Sequence, residues 1–180
     1  WEYLEEVRNA QSSLTGYTPD VESKIASKLA EKYDPKKSPL FLYGYGSYGI
    51  TIDPNFNYKI LPLLDRGWAY AIAHIRGGSF LGTEWYEDGK MYKKMNSFTD
   101  FIDVTKYLGD NYCDKNNITI EGRSAGGLLV GACLTMNPEL YKNTIMGVPF
   151  VDVLNTMCDS TIPLTVEEWT QWGNPNVKED

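Results

Sequence analysis

Short, nearly unbroken apolar runs that end in glycine or arginine are the features that most limit how this chain folds. LFLYGY (40–45) and WAYAIAHI (68–75) are shorter than an ordinary helix and almost free of charge. That is the pattern of strands covered on both faces, as in a parallel sheet. Helical spacing fills the intervals. In 57–67, Ile60, Leu61 and Leu64 share one face and Gly67 is a stop signal; in 97–112, Phe98, Phe101, Ile102, Thr105 and Leu108 share another, with Ser97 as the expected cap. ITIEG (118–122) predicts a third strand, Leu128 to Met136 a helix, and NTIMGVPF (143–150) a fourth strand. The alternation predicts an α/β fold, a doubly wound and mostly parallel sheet with right-handed crossovers. Residues 151–180 lose it and are expected to be irregular or short-helical. Upstream, Val21, Ile25, Ala26 and Leu29 predict a surface helix over 20–33 with Asp20 as cap, and DPKKSP (34–39) breaks the periodicity.

A net charge of −7 repels phosphate backbones and anionic membrane surfaces, so nucleic acid and membrane are not expected partners, and cationic ligands are favoured. The one basic cluster, Lys90, Lys93 and Lys94, is bracketed by Glu87 and Asp88 and is expected to be a solvated face. Cys113, Cys133 and Cys158 have no metal-ligand spacing, so no metal is expected; free thiols in a reducing compartment are the simplest reading. No apolar run approaches the ~20 residues of a membrane span, and the expected location is the cytoplasm. Oligomeric state is not legible in the sequence.

ITIEGRSAGGLLV (118–130) is the stretch that carries chemistry. Gly122-Arg123-Ser124-Ala125-Gly126 is G-x-S-x-G between a predicted strand and a predicted helix. A serine on such a tight turn is strained and exposed, and the residues two away on either side must lack bulk. The helix that follows aims its first N–H groups at the site, so the Ala125 N–H is a candidate oxyanion donor. LYGYGSYG (42–49) places tyrosines at the carboxyl edge of the sheet, where a phenol could be a second donor or simply pack on the rim of a turn. Arg76-Gly77-Gly78-Ser79-Phe80-Leu81-Gly82 matches neither a P-loop nor the dinucleotide fingerprint and is expected to be a close-packed supporting loop. His74, the only histidine, falls inside an apolar strand and is expected to be a satisfied buried residue rather than a base.

GRSAGG around Ser124, with YGYGSYG (43–49), YAIAHIRGG (70–78), WYEDGK (85–90), VPFVDVLNTM (148–157) and EEWTQWGNPN (167–176) in this order, resembles the prolyl oligopeptidase family of serine peptidases, most closely its oligopeptidase B branch. The resemblance implies an α/β-hydrolase domain, truncated at its C-terminal side, that needs no cofactor. It implies that Ser124 is the acyl-forming nucleophile, that Tyr45 and the Ala125 N–H donate to the oxyanion, that Glu168 receives a P1 Arg or Lys, and that Asp53 receives a basic P2. Asn55 and Thr170 stand where specialised basic-site members carry carboxylates.

The family's triad aspartate and histidine follow the serine, whereas no histidine follows Ser124 here; Asp152 and Asp159 belong to a stretch that does not supply the triad acid. The expectation is therefore an extension (1–36) followed by the N-terminal part of a peptidase catalytic domain (37–180), weakly active or inactive alone, whose substrates are short basic peptides. An esterase or acylaminoacyl peptidase of the same fold, and a non-catalytic binding module derived from a hydrolase, are the alternatives.

Overall fold

The structure, a computed structural model, describes residues 27–28 and 30–178. The helix expected over 20–33 falls largely outside them; residues 27, 28 and 30 are helical. Four strands, β1 (Leu40–Gly44), β2 (Ala69–Ala73), β3 (Ile118–Arg123) and β4 (Asn143–Gly147), form one parallel sheet in the order β2-β1-β3-β4. Leu40 lies level with Ile118 and Leu42 with Ile120. All four are essentially inaccessible to solvent.

These aliphatic pairs meet two helices, α3 (Met95–Asn111) and α4 (Ala125–Met136), in the core cluster that includes Phe101, Ile102, Leu129, Val130 and Cys133. Fully burying a side chain of this size contributes about 1.5–3 kcal/mol, so the central strand pair is the firmest part of the sheet. Thr105 is buried in the same helix and donates to the Phe101 carbonyl at 2.8 Å, which satisfies its hydroxyl inside the core.

Three sequence expectations are corrected here. The stretch 57–67 forms only a 3-10 turn (Tyr58–Ile60) and a four-residue helix, α1 (Leu61–Leu64), before the chain turns at Gly67 with φ +79°. Ser97 does not cap α3, which starts at Met95. Its hydroxyl is fully buried and bonded to the Arg76 carbonyl at 2.6 Å, a tertiary contact instead of a local one. After a short helix α2 (Thr83–Glu87) and β4, the remaining described chain forms two helices, α5 (Val153–Cys158) and α6 (Thr165–Trp172), in keeping with the loss of strand alternation. β4 is shorter than expected, because the chain turns at Val148 with φ +40° and Pro149 then packs onto Gly127.

The strand order fixes where the site lies. From β1 the chain moves outward to β2 and returns to place β3 on the opposite side of β1. This reversal puts the topological switch point at the carboxyl ends of β1 and β3, the usual ligand position in open α/β sheets. Tyr45 follows β1 directly, and Ser124 follows β3 directly. Among the described residues no helix is long and apolar enough to cross a membrane.

Candidate active site

Ser124 occupies φ 56°, ψ −118°, a conformation that costs a non-glycine residue roughly 1–3 kcal/mol. Its surroundings over-determine it. The Ser124 N–H donates to the Gly147 carbonyl at 2.9 Å, while its own carbonyl accepts from Gly127 N at 2.8 Å and Phe150 N at 3.0 Å. The neighbouring glycines are required by space. A Cβ on Gly122 would overlap the Gly126 carbonyl, one on Gly126 would lie 2.7 Å from the Gly44 carbonyl oxygen, and one on Gly127 would lie 2.6 Å from Pro149 Cα. The result is an exposed serine on a turn that cannot relax. Ala125 is buried as the first residue of α4, so its N–H belongs to the group of helix-start donors without a partner in the helix ladder.

Tyr45 packs against this turn, its ring Cδ2 and its Cα each 3.3 Å from the Cβ position of Gly126. Its hydroxyl makes no hydrogen bond among the described residues, and burial, then the nearby Tyr43 and Glu168, pushes its pKa above the ordinary phenol value. The hydroxyl therefore stays protonated and able to donate well above neutral pH. Tyr48, three residues on, is held half-buried at φ +59°.

The loop carrying both tyrosines is tied to the loop after β2. Gly49 N donates to the Gly77 carbonyl at 2.9 Å, and Ser79 Oγ donates to the Gly49 carbonyl at 2.6 Å. Gly77 has φ +95°, and a Cβ there would overlap the Gly46 carbonyl. Arg76 is committed to Asp100, with Nη2 to Oδ1 at 2.5 Å and Nε to Oδ2 at 2.8 Å, and this bonding raises its pKa. The loop therefore supports the sheet edge, as expected, and its arginine is occupied.

Glu168 projects from α6 into a polar cluster built from distant parts of the chain. Tyr48 Oη donates to Glu168 Oε2 at 2.7 Å, and Trp172 Nε1 lies 3.0 Å from the same oxygen and 3.1 Å from Tyr48 Oη. Burial, then the bond to Glu168, raises the Tyr48 pKa. Oε1 makes no hydrogen bond among the described residues and is available to a cation. The Phe150 ring, whose backbone bonds Ser124, stands 5.3 Å from the Trp172 ring, edge to face. A continuous path thus runs from Ser124 through Phe150 and Trp172 to Glu168. Tyr86 and Gln171 pin α6 from the other side, with Gln171 Nε2 donating to Tyr86 Oη at 2.7 Å.

Asp53 is exposed in the coil after the tyrosine loop, and no hydrogen bond or ion pair among the described residues ties it to the Glu168 cluster. His74 is half-buried just beyond the end of β2, not within the strand, and stacks on Phe80 with ring centroids 4.1 Å apart. β1 stands between β2 and β3, which separates their backbones by about 10 Å. No group of His, Cys, Asp and Glu among the described residues is arranged to hold a metal ion.

Three residues of this region escaped the sequence reading. Tyr48 and Trp172 meet across 124 positions, a contact with no local signature. Lys94 was expected on a solvated face with Lys90 and Lys93. Those two do pair with Glu87 at 2.9 Å and Asp88 at 2.7 Å, but Lys94 turns inward, with Nζ 2.5 Å from the Gly46 carbonyl oxygen.

The chain matches the family model described as the prolyl oligopeptidase family over residues 54–180. It is 52% identical over 163 residues to dipeptidyl aminopeptidase BI of Pseudoxanthomonas mexicana, covering 88% of this chain and 22% of that protein. It is 48% identical over 174 residues to protease 2 of Moraxella lacunata, covering 96% of this chain and 25% of that protein. Oligopeptidase B from Trypanosoma brucei, in its closed form with covalently bound antipain, superposes with a TM-score of 0.77 at 52% identity, over 82% of this chain and 22% of that one. The chain therefore spans about a fifth to a quarter of the length of these relatives.

Proposed function

The chain belongs to the prolyl oligopeptidase family, has its α/β-hydrolase architecture, and on that premise we propose that it forms part of the catalytic domain of a serine oligopeptidase, residues 37–180, that cleaves short peptides after Arg or Lys. The observation that carries this reading is the strained, exposed Ser124 linked through Phe150 and Trp172 to a half-buried carboxylate with one open oxygen.

In this reading Ser124 Oγ attacks the scissile carbonyl, and Tyr45 Oη and the Ala125 N–H donate to the oxyanion. Glu168 takes the guanidinium or ammonium of P1 through charge-assisted hydrogen bonds, and Asp53 meets a basic P2 from the rim. A serine hydroxyl needs a base to accept its proton during attack. His74 is two strands from Ser124 and engaged with Phe80, no described residue is hydrogen-bonded to Ser124 Oγ as a base, and the 180 residues alone are expected to turn over peptides weakly or not at all.

The test is hydrolysis of N-acylated Arg, Lys, Pro and norleucine p-nitroanilides by the whole protein and its Ser124→Ala variant. The reading predicts cleavage of the Arg and Lys compounds and its abolition in Ser124→Ala. Preference for Pro or norleucine, or turnover that survives the substitution, contradicts it.

A second reading, release of dipeptides from a free N-terminus, is favoured by the name and 52% identity of the Pseudoxanthomonas mexicana relative. It predicts that blocking the substrate amine stops cleavage.

A further inference from the structure

Lys94 has no part in the reading above, yet it touches supports of both the tyrosine loop and the acidic pocket. Its Nζ donates to the Gly46 carbonyl at 2.5 Å, Ser47 Oγ at 2.9 Å and Ser97 Oγ at 3.2 Å, and stands 5.3 Å from the centroid of the Trp172 ring. None of the ion pairs among the described residues includes it. Gly46 directly follows Tyr45, and Trp172 donates to Glu168, so a single ammonium group contacts the supports of both functional elements. A cation over an indole is attracted by the ring face, and it polarises the ring so that the N–H donates more strongly.

We propose that Lys94 is a positioning residue: its ammonium group pins the Gly46 carbonyl beside Tyr45 and holds Trp172 in the orientation that donates to Glu168, so the oxyanion tyrosine and the acidic pocket move as one unit. The proposal rests on the roles given above to Tyr45 and Glu168. Desolvating an ammonium group is costly unless it is compensated, and here the compensation comes from three oxygen acceptors and a ring, all of which favour the charged form.

The clamp also has a pH range. Burial lowers the Lys94 pKa to about 8. The charged and titratable groups on the elements around it are Tyr45 and Tyr48 on the β1 loop, Arg76 with Asp100 behind Ser97, Glu168 beyond the Trp172 ring on α6, and Lys90 and Lys93 with their partners Glu87 and Asp88. The pairs Arg76–Asp100, Lys90–Glu87 and Lys93–Asp88 balance each other, and Glu168 is held through Oε2 by Tyr48 and Trp172, on the far side of the indole. Loss of the Lys94 proton removes the cation from the Trp172 face without freeing a counter-ion.

The experiment follows the Trp172 indole 1H–15N resonance from about pH 6.5 to about pH 9.5, a window on both sides of the shifted lysine. The variants are Lys94→Met, Lys94→Gln, Lys94→Arg and Glu168→Gln, with Trp172→Phe for assignment. In the unsubstituted chain the resonance is expected to lie downfield and to move with a midpoint near 8. Lys94→Met should abolish this titration and shift the signal towards its position in Glu168→Gln, whereas Lys94→Arg should keep the downfield position without titrating. Affinity for arginine amide should fall about threefold to tenfold in Lys94→Met and be restored in Lys94→Arg.

A flat resonance in the unsubstituted chain removes the pH range, and a folded Lys94→Gln variant with an unchanged downfield signal overturns the proposal where Lys94→Met fails to fold. An unchanged signal in a folded Lys94→Met does the same. The indole readout needs no peptide, so if arginine amide fails to bind while the titration is present, the pocket assignment fails and the coupling stands.

Discussion

Replacing Glu168 by glutamine separates the charge of the proposed pocket from its shape. The carboxylate uses Oε2 to accept from Tyr48 and Trp172 at 2.7 and 3.0 Å. A glutamine amide oxygen can take over both bonds, which leaves the amide NH2 at the Oε1 position. That group cannot accept from a guanidinium and presents its own hydrogens to it. A hydrogen bond to a charged group is worth about 1.5–3 kcal/mol, and partial solvent access to Glu168 places the expectation in the lower part of that range. At about 1.4 kcal/mol per factor of ten, the dissociation constant for arginine amide should rise about 10- to 30-fold. Calorimetry on the folded chain and the variant measures it directly, with norleucine amide as the uncharged control. Norleucine affinity should be unchanged, and stability should move by no more than about 0.5 kcal/mol, as for substitutions that preserve their contacts. Equal arginine affinity in the two proteins would refute the reasoning, because the open oxygen would then not be the cation's partner.

Three further predictions follow from the same geometry. Tyr45→Phe removes a hydroxyl that no other described residue uses, so the melting temperature should hold while acylation of Ser124 in the whole protein slows about 100- to 1,000-fold, measured by pre-steady-state release of p-nitroaniline. Gly126→Ala places a methyl group 2.7 Å from the Gly44 carbonyl oxygen and 3.3 Å from the Tyr45 ring, and urea unfolding should show a loss of about 1–3 kcal/mol as the turn is forced apart. Burial pushes the thiols of Cys113 up to about 11 and Cys133 up to about 12, whereas Cys158 is exposed; an aromatic disulfide reagent at neutral pH should modify Cys158 rapidly and the other two only after denaturation.

What could be read from the sequence follows from how local each signal is. Leu40, Leu42, Ile118 and Ile120 announce buried strands because a short apolar run needs cover on both faces. The elbow at Ser124 is legible because its glycines are demanded by contacts within a few residues of the serine. Ser97 and Lys94 were misread for a shared reason: a serine before an apolar periodic stretch suggests a cap, and a lysine among acids suggests solvent, yet both side chains are used by loops 21 to 48 positions away. The 57–67 helix is cut short where Pro62 enters its first turn, leaving four helical residues. Glu168 has no local mark of function. Its significance rests on resemblance, and its partner Tyr48 lies 120 positions away, a pairing that only the folded chain brings together. Asp53 is singled out by the resemblance alone: it stands in exposed coil, and no hydrogen bond or ion pair among the described residues links it to the pocket cluster.

A crystal structure of the whole protein with a peptidyl arginine aldehyde is the most direct test of the central claim, that Ser124, Tyr45 and Glu168 act on one substrate. The account predicts a hemiacetal on Ser124 Oγ, its oxygen about 3 Å from Tyr45 Oη and the Ala125 nitrogen, with the guanidinium against Glu168 Oε1. An aldehyde bound to Ser124 with its arginine side chain directed away from Glu168, or bound elsewhere on the chain, would contradict it.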